Sequence, residues 1–200
     1  MLASGCLPSF LDKRVIPEHS LCKNLGIETP DFTPTLVPHM YDIVSCHGMP
    51  LGVTFLHTPG HTPDEIALYD ESEMMLYVGD SLYEWEPIIF PKEGSIVTWF
   101  SSLDFLISFV EGKNERRTRP AHTAMTEVLM NSGHQTVLQP ALELLLAAKA
   151  YMQDVLEGRE RVTERRWNRG EETVSYGNTG NRFSLRCPER LIREAQSMRR

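Results

Sequence analysis

Cysteine is scarce in this chain, and the four present (Cys6, Cys22, Cys46 and Cys187) are scattered without paired-ligand spacing. That pattern excludes a dense disulfide framework and a zinc-ribbon arrangement, and it favours a reducing, cytoplasmic setting. No uninterrupted apolar run approaches the roughly 20 residues that span a bilayer, so no membrane span is expected. The opening MLASGCLPSFLDKR has a brief apolar stretch but no basic region before it, which makes a poor secretory signal. Internal repeats and low-complexity runs are absent too. There is no dense basic face interleaved with aromatics, and a nucleic-acid partner is disfavoured on that ground.

What is present is the composition of a folded domain. The hydrophobic fraction is 41% and the charged fraction 24%, and Phe, Trp, Leu and Ile recur in runs able to form a core. The formal net charge of -7 is unevenly spread: residues 158–200 hold eleven Arg against six Glu, so they carry +5 and residues 1–157 carry -12. Such an end can pack on its own acidic body or meet an acidic partner.

The chain reads as a single incomplete domain over 1–200. Its parts are an irregular N-terminal segment (1–48), a main α/β body (49–157) and a basic C-terminal extension (158–200). Six prolines cut the first 50 residues into short pieces, with a short helix expected only at Glu18–Leu25. Gly52–His57 reads as a strand. Ile66–Tyr69 and Met74–Val78 read as antiparallel neighbours around the turn Asp70-Glu-Ser-Glu73. Apolar spacing over Val97–Val110 predicts a helix, followed by a charged loop at Glu111–Arg119. Pro140–Leu156 is the clearest helix, with proline at its start and Leu142, Leu145, Leu146, Tyr151, Met152 and Leu156 along one side. Short strands and turns follow, and a terminal helix is expected at Glu189–Met198.

Three residues suggest chemistry. His61, Asp80 and His122 each lie in a loop at or beyond the end of an expected strand, where a sheet edge can hold side chains in place. Imidazole and carboxylate suit Zn²⁺ and several other divalent ions. The spacing alone favours a plainer reading: a solvated loop histidine, a strand-end aspartate cap and a histidine in a turn.

The surrounding segments add to this. Phe55-Leu-His-Thr-Pro-Gly-His-Thr-Pro-Asp64, then Leu76-Tyr-Val-Gly-Asp-Ser81, then Arg119-Pro-Ala-His122, together resemble the metallo-β-lactamase superfamily, and most closely its general hydrolase and acyl-thioester-hydrolase members. The resemblance covers about residues 50–125. It implies an α/β fold of the α+β four-layer type, here a partial αββα sandwich made mainly of the C-terminal half. It further implies that His61 completes a first metal site, that Asp80 bridges two metals and orients the attacking water, and that His122 belongs to the second site, with His134 as the alternative for that last role.

One departure is large. The family's opening His-x-His-x-Asp-His string does not occur in the sequence, and His19, His39, His47 and His57 cannot supply its spacing. A complete family site holds up to two Zn²⁺. With two protein ligands per ion instead of the usual three, weak or absent metal binding is expected here. His19 with Cys22, and Cys46 with His47, are the local pairs that could compensate, while strand alternation turns His57 away.

The expected activity is metal-dependent hydrolysis of a small-molecule ester or thioester, impaired in this chain. The competing reading is a noncatalytic remnant or regulatory protein-binding module, with self-association or a complementary chain as the partner. Ser81 has no visible base partner and is given no nucleophilic role. Tyr83, Trp85, Ile88, Ile89 and Phe90, with Trp99 and Phe100, are either core or an apolar wall beside the site. Arg116, Arg117 and Arg119 either meet a phosphate or carboxylate near His122 or form a charged surface loop.

Overall fold

The computed structural model describes residues 2–4, 35–37, 39–44, 47–116, 127–168, 170–178 and 180–198. The expected helix at Glu18–Leu25 falls outside them, as do His19, Cys22, Cys46 and His122.

The main sheet grows from alternating segments. Residues 50–57 (β4, Pro50–His57) pair antiparallel with β3 (Tyr41–Val44) and with β5 (Ile66–Asp70). The β5 residues Ala67 and Tyr69 are fully buried while their neighbours are less so, as a period of two requires. Asp70 then turns the chain: its Oδ1 accepts from the backbone N–H groups of Ser72 at 2.9 Å and Glu73 at 3.1 Å. That local side-chain bonding is why an Asp-Glu-Ser-Glu stretch makes a turn. β6 (Met75–Tyr77) returns beside β5. The full order is β3-β4-β5-β6-β8-β9, with β8 at Leu129–Asn131 and β9 at Gln139–Pro140.

β6 and β8 run parallel, so the chain between them must cross over. The crossover contains helix α1 (Ile96–Arg116). It is longer than the apolar period indicates, for residues 111–116 continue the helix instead of forming a charged loop. Long polar side chains are good helix formers when exposed, and here they are also engaged. Lys113 pairs with Glu71, and Asn114 Oδ1 accepts the backbone N–H of Val128 at 2.8 Å.

α2 (Ala141–Leu156) begins directly after Pro140, where a missing N–H costs nothing. Its buried face is Ala141, Leu144, Leu145, Ala148, Met152, Val155 and Leu156. Leu146, expected on that face, is 48% exposed. The stripe is set by Ala141, Leu145, Ala148 and Met152, and at 3.6 residues per turn Leu146 points away from it.

A second sheet has the order β10-β11-β12-β7, from β7 (Pro87–Ile89), β10 (Val162–Asn168), β11 (Glu171–Tyr176) and β12 (Ser184–Pro188). β12 leads straight into α3 (Glu189–Ser197) and lies parallel to β7, with Arg186 opposite Ile89. A short parallel pair, β1 (Leu2–Ser4) with β2 (Thr35–Val37), stands apart. One continuous core joins the two larger sheets and the three helices given above. The fold is mixed α/β.

Two anchors tie α1 to the loop after β4. The backbone N–H of Ser95 donates to the Gly60 carbonyl at 2.8 Å, and Ser102 Oγ donates to the Pro59 carbonyl at 2.6 Å. Gly60 has φ +155°, and a Cβ there would sit 2.5 Å from the Trp99 Cα, so only glycine allows this approach. Trp99, 1% exposed, donates its indole N–H to the Ser81 carbonyl at 2.7 Å. Burying its ring contributes on the order of 2–3 kcal/mol and fixes the loop after β6.

Candidate active site

Three loops and the end of one strand meet at one rim. The β4–β5 loop brings His61, the segment after β6 brings Asp80, the β8–β9 loop brings His134, and the end of β7 brings the Ile89 carbonyl. His61 Nδ1 lies 2.6 Å from the Ile89 oxygen. A ring nitrogen bound to a carbonyl carries the proton, which leaves Nε2 with its lone pair facing outward. That tautomer is the one a metal ligand or a proton acceptor needs.

His134 Nε2 lies 3.5 Å from Asp80 Oδ1, and its Nδ1 lies 3.4 Å from Glu86 Oε2. Its ring packs on Tyr83, with centroids 4.4 Å apart. The approach is made possible by Gly133, where a Cβ would collide with Asp80 Oδ1. The Gly133 N–H also donates to the Gly79 carbonyl at 2.7 Å, which clamps the two loops together.

Beneath them sits Glu65. It shares the inward face of its strand end with Ala67 and Tyr69, and its Oε1 accepts the Asp80 backbone N–H at 3.3 Å. Burial pushes the Glu65 carboxyl up to about 7, helped by the charges of Asp80 and Asp64 and opposed by the Asp80 and Thr62 hydrogen bonds. Burial raises the Asp64 carboxyl as well. The His61 imidazole is held below its ordinary value, first by burial and also by His134. The Ile89 carbonyl, Asp80 and Asp64 act against that shift. His61 is therefore neutral near pH 7. Tyr83 is pushed up to about 12, mainly by burial, and remains a phenol.

His61 lies within electrostatic reach of Asp80, and His134 stands against Asp80. His122, with Arg117 and Arg119, lies outside the described residues. His57 turns from the rim: its Nε2 lies 3.0 Å from the Pro63 carbonyl, and its backbone N–H donates to His39 Nδ1 at 3.0 Å. Ser81 is buried beneath the loop, with Oγ unpartnered among the described residues. The aromatic segment divides by alternation. Tyr83, Ile88, Phe90 and Trp99 belong to the core, whereas Trp85 at 51% and Ile89 at 41% face solvent.

Sequence reasoning missed Glu65, Glu86 and the Ile89 carbonyl. Glu65 was legible, since extending the period of Ala67 and Tyr69 back by one step places it inward. Glu86 and Ile89 reach the rim through the pairing of β7 with β12, which no local pattern announces.

Among the described residues, the donor set does not fit a catalytic metal. Among the described residues, no three His, Cys, Asp or Glu side chains form a group able to hold an ion. His61 and Asp80 with His134 at Asp80's edge give too few donors in one sphere for a centre that needs three protein ligands. Among the described residues, no helix is long and apolar enough to cross a membrane.

Residues 29–124 match the family model described as the metallo-beta-lactamase superfamily. A protein of Aspergillus versicolor, provisionally named transcription factor avaE, is 27% identical over 169 residues, covering 81% of this chain and 47% of that protein. A metallo-beta-lactamase family protein from Thermus thermophilus is similar in structure, at 21% identity and a TM-score of 0.49, covering 74% of this chain and 44% of that one. A further protein, solved in a di-iron-bound form, gives 21% identity and a TM-score of 0.39, covering 61% of this chain and 52% of that one. The chain thus spans about half the length of the relatives it matches.

Proposed function

We propose, on the match of residues 29–124 to the metallo-beta-lactamase superfamily, that the chain is a hydrolase-type domain of that superfamily carrying a partial reaction rim. Its reaction class is hydrolysis of a small-molecule ester or thioester, and acting alone it turns such substrates over poorly. The observation that carries this reading is the convergence of His61, Asp80 and His134 from three loops. His61 is oriented by the Ile89 carbonyl at 2.6 Å and is neutral near pH 7. The rim can orient a polar carbonyl group and exchange protons at His61 Nε2. The same donor shortage that separates it from a complete metal centre predicts weak zinc retention.

The test is the metal content of the purified chain, measured together with acyl-thioester hydrolysis in added Zn²⁺. The expected result is well under one ion per chain, with slow turnover that Asp80→Ala abolishes. Two firmly held ions with rapid turnover would overturn the impaired-site reading. No turnover above background at any zinc concentration would remove the hydrolase reading.

A second reading is supported by the provisional name of the Aspergillus versicolor relative: a regulatory module that binds a macromolecule without catalysis. The basic C-terminal segment is its natural surface, but many of its arginines are already paired. Arg159 bonds Asp154, Arg165 bonds Glu172 and Glu189, Arg166 bonds Glu164, and Arg190 bonds Glu194. Duplex DNA retention that falls steeply with salt would favour this reading, because released counterions leave that signature.

A further inference from the structure

Most arginines of the second sheet and its flanks are neutralised within the fold. Arg159, Arg165, Arg166, Arg182, Arg190 and Arg193 each pair with a carboxylate. Among the described residues two arginines of this region, Arg161 and Arg186, have no such pair; Arg161 precedes β10, whereas Arg186 lies within β12, on the strand beside β7.

Its position follows from register. Arg186 lies opposite Ile89 in the parallel pair β12–β7, between the buried residues Leu185 and Cys187. Paired residues in adjacent strands project to the same face. The side chain of Arg186 therefore emerges beside that of the exposed Ile89, whose carbonyl fixes His61. The carbonyl of Arg186 accepts the Phe90 N–H at 2.9 Å, so the arginine is held by its own backbone on the strand neighbouring the rim. Adjacent strands lie roughly 5 Å apart, and an extended arginine reaches a little farther than that.

The side chain lines a cleft of about 290 Å³ shared with Thr163, Ser175, Asn178 and Ser184. Of these, Ser175, Ser184 and Asn178 carry hydroxyl and amide groups that can complete the hydrogen bonds of an oxyanion, whereas Thr163 Oγ1 already donates within the fold, to the Ser175 and Gly177 carbonyls. Glu164 also lines the cleft, but it is bonded to Arg166 at 2.6 Å and does not neutralise Arg186. On its other side Arg186 acts electrostatically on the Tyr83 phenol, and Tyr83 packs against His134 at the rim. The link from cleft to rim runs through strand register: Arg186 lines the cleft and lies opposite Ile89, whose carbonyl holds His61.

We propose that Arg186 and its cleft anchor an anionic group, a carboxylate or a phosphate, on a substrate whose reacting carbonyl lies at the His61–Asp80 rim. Guanidinium is the side chain suited to this, because its planar fork bonds both oxygens of such a group. The exposed Ile89 between them matches a short apolar spacer. The substrate class becomes an ester or thioester with an acidic group a few carbons from the reacting carbon. This assignment rests on the hydrolase reading for the identity of the ligand, but the anion site itself is measurable without turnover.

The experiment titrates the full chain with glutarate, with inorganic phosphate and with neutral dimethyl glutarate, following binding by NMR chemical shifts. It compares the wild type with Arg186→Gln, Arg186→Lys and Arg161→Gln, the last removing an exposed charge just before β10. One anion binds the wild type, and whichever does so identifies the anchored group as carboxylate or phosphate. Arg186→Gln weakens that binding at least about tenfold, the scale of a lost charge-assisted pair. Arg186→Lys falls between, and Arg161→Gln stays within about twofold. Absence of binding by both anions overturns the proposal, as does binding that survives Arg186→Gln or falls equally with Arg161→Gln. A parallel assay of glutaryl against acetyl thioester in added Zn²⁺ separates the two readings. Anion binding lost with Arg186→Gln but no hydrolysis of either thioester leaves the anion site standing and removes the hydrolase reading. Hydrolysis without preference for the glutaryl substrate removes Arg186 as a substrate anchor.

Discussion

Glu65 Oε1 accepts the backbone N–H of Asp80 at 3.3 Å, so the loop that presents one carboxylate is positioned by another, buried one. The two charges oppose each other, and burial adds to the effect, with Glu65 pushed up to about 7. The rim is therefore built on a carboxyl group that is substantially protonated at neutral pH.

That arrangement makes stability depend on pH in a defined direction. The unfolded glutamate titrates near 4.3, so between roughly pH 4.3 and 7 the folded state holds a proton that the unfolded state has lost. Stability from this group is complete below the unfolded value and is lost as pH rises through about 7. The full effect is on the order of 3 kcal/mol. Glu65→Gln removes it, and because His61 titrates in both proteins, the difference between their urea curves across pH 4.5–8 isolates Glu65. Parallel curves in metal-free buffer would refute the shifted carboxyl.

Gly133→Ala should damage the rim specifically. The added methyl collides with Asp80 Oδ1, so either Asp80 or the β8–β9 loop must move. Because Asp80 Oδ1 is the exposed end of a side chain that can swing aside, the expected loss is about 1 kcal/mol, the low end of overpacking costs, and the displacement falls mainly on Asp80. The His134 and Tyr83 ring resonances should shift together, since their packing at 4.4 Å depends on that loop. Unchanged stability with unchanged spectra would show that the loop yields freely.

Trp99→Phe tests the link from α1 to the site. It keeps most of the apolar volume but removes the indole N–H that bonds the Ser81 carbonyl at 2.7 Å. An unmade bond at a buried carbonyl, with a small cavity beside it, costs about 2–4 kcal/mol. Urea unfolding should show a lower midpoint with an unchanged slope.

Arg182 clasps three parts of the chain. It bonds Glu84 at 2.8 Å and both oxygens of Glu143 at 2.8 Å, while its carbonyl accepts the Trp85 N–H at 2.8 Å. The Glu84 side chain is only 6% exposed. Arg182→Met strands that carboxylate and should cost about 3–5 kcal/mol. The double variant Arg182→Met with Glu84→Gln should recover much of the loss. Equal destabilisation of single and double variants would place the cost in packing, not charge.

The sequence made some parts of this molecule readable and hid others for physical reasons. β4, β5 and β6 follow from alternation, and α2 from its apolar period, because each buries one face locally. The end of α1 was hidden because its last turns are polar and are held by distant partners, Glu71 and Val128. His61 and Asp80 were legible as strand-end loop residues. His134 was harder: its approach to Asp80 depends on Gly133, whose need for a hydrogen side chain appears only when the second loop is in place. Arg186 carried no local signal at all, since its importance comes from lying opposite Ile89 on a strand far along the chain.

The pairing of β12 with β7 has a consequence for assembly. Arg182 and Glu84 stand 98 positions apart in the chain, and the carbonyl that orients His61 belongs to β7, whose partner strand lies at 184–188. Contacts between such remote segments pay their loop-closure entropy before any stabilisation is gained, so they form late in folding. The rim is accordingly expected among the last features to take shape. A chain that has collapsed through β6 and α1 can already possess its central strands while His61 still lacks the group that aims it.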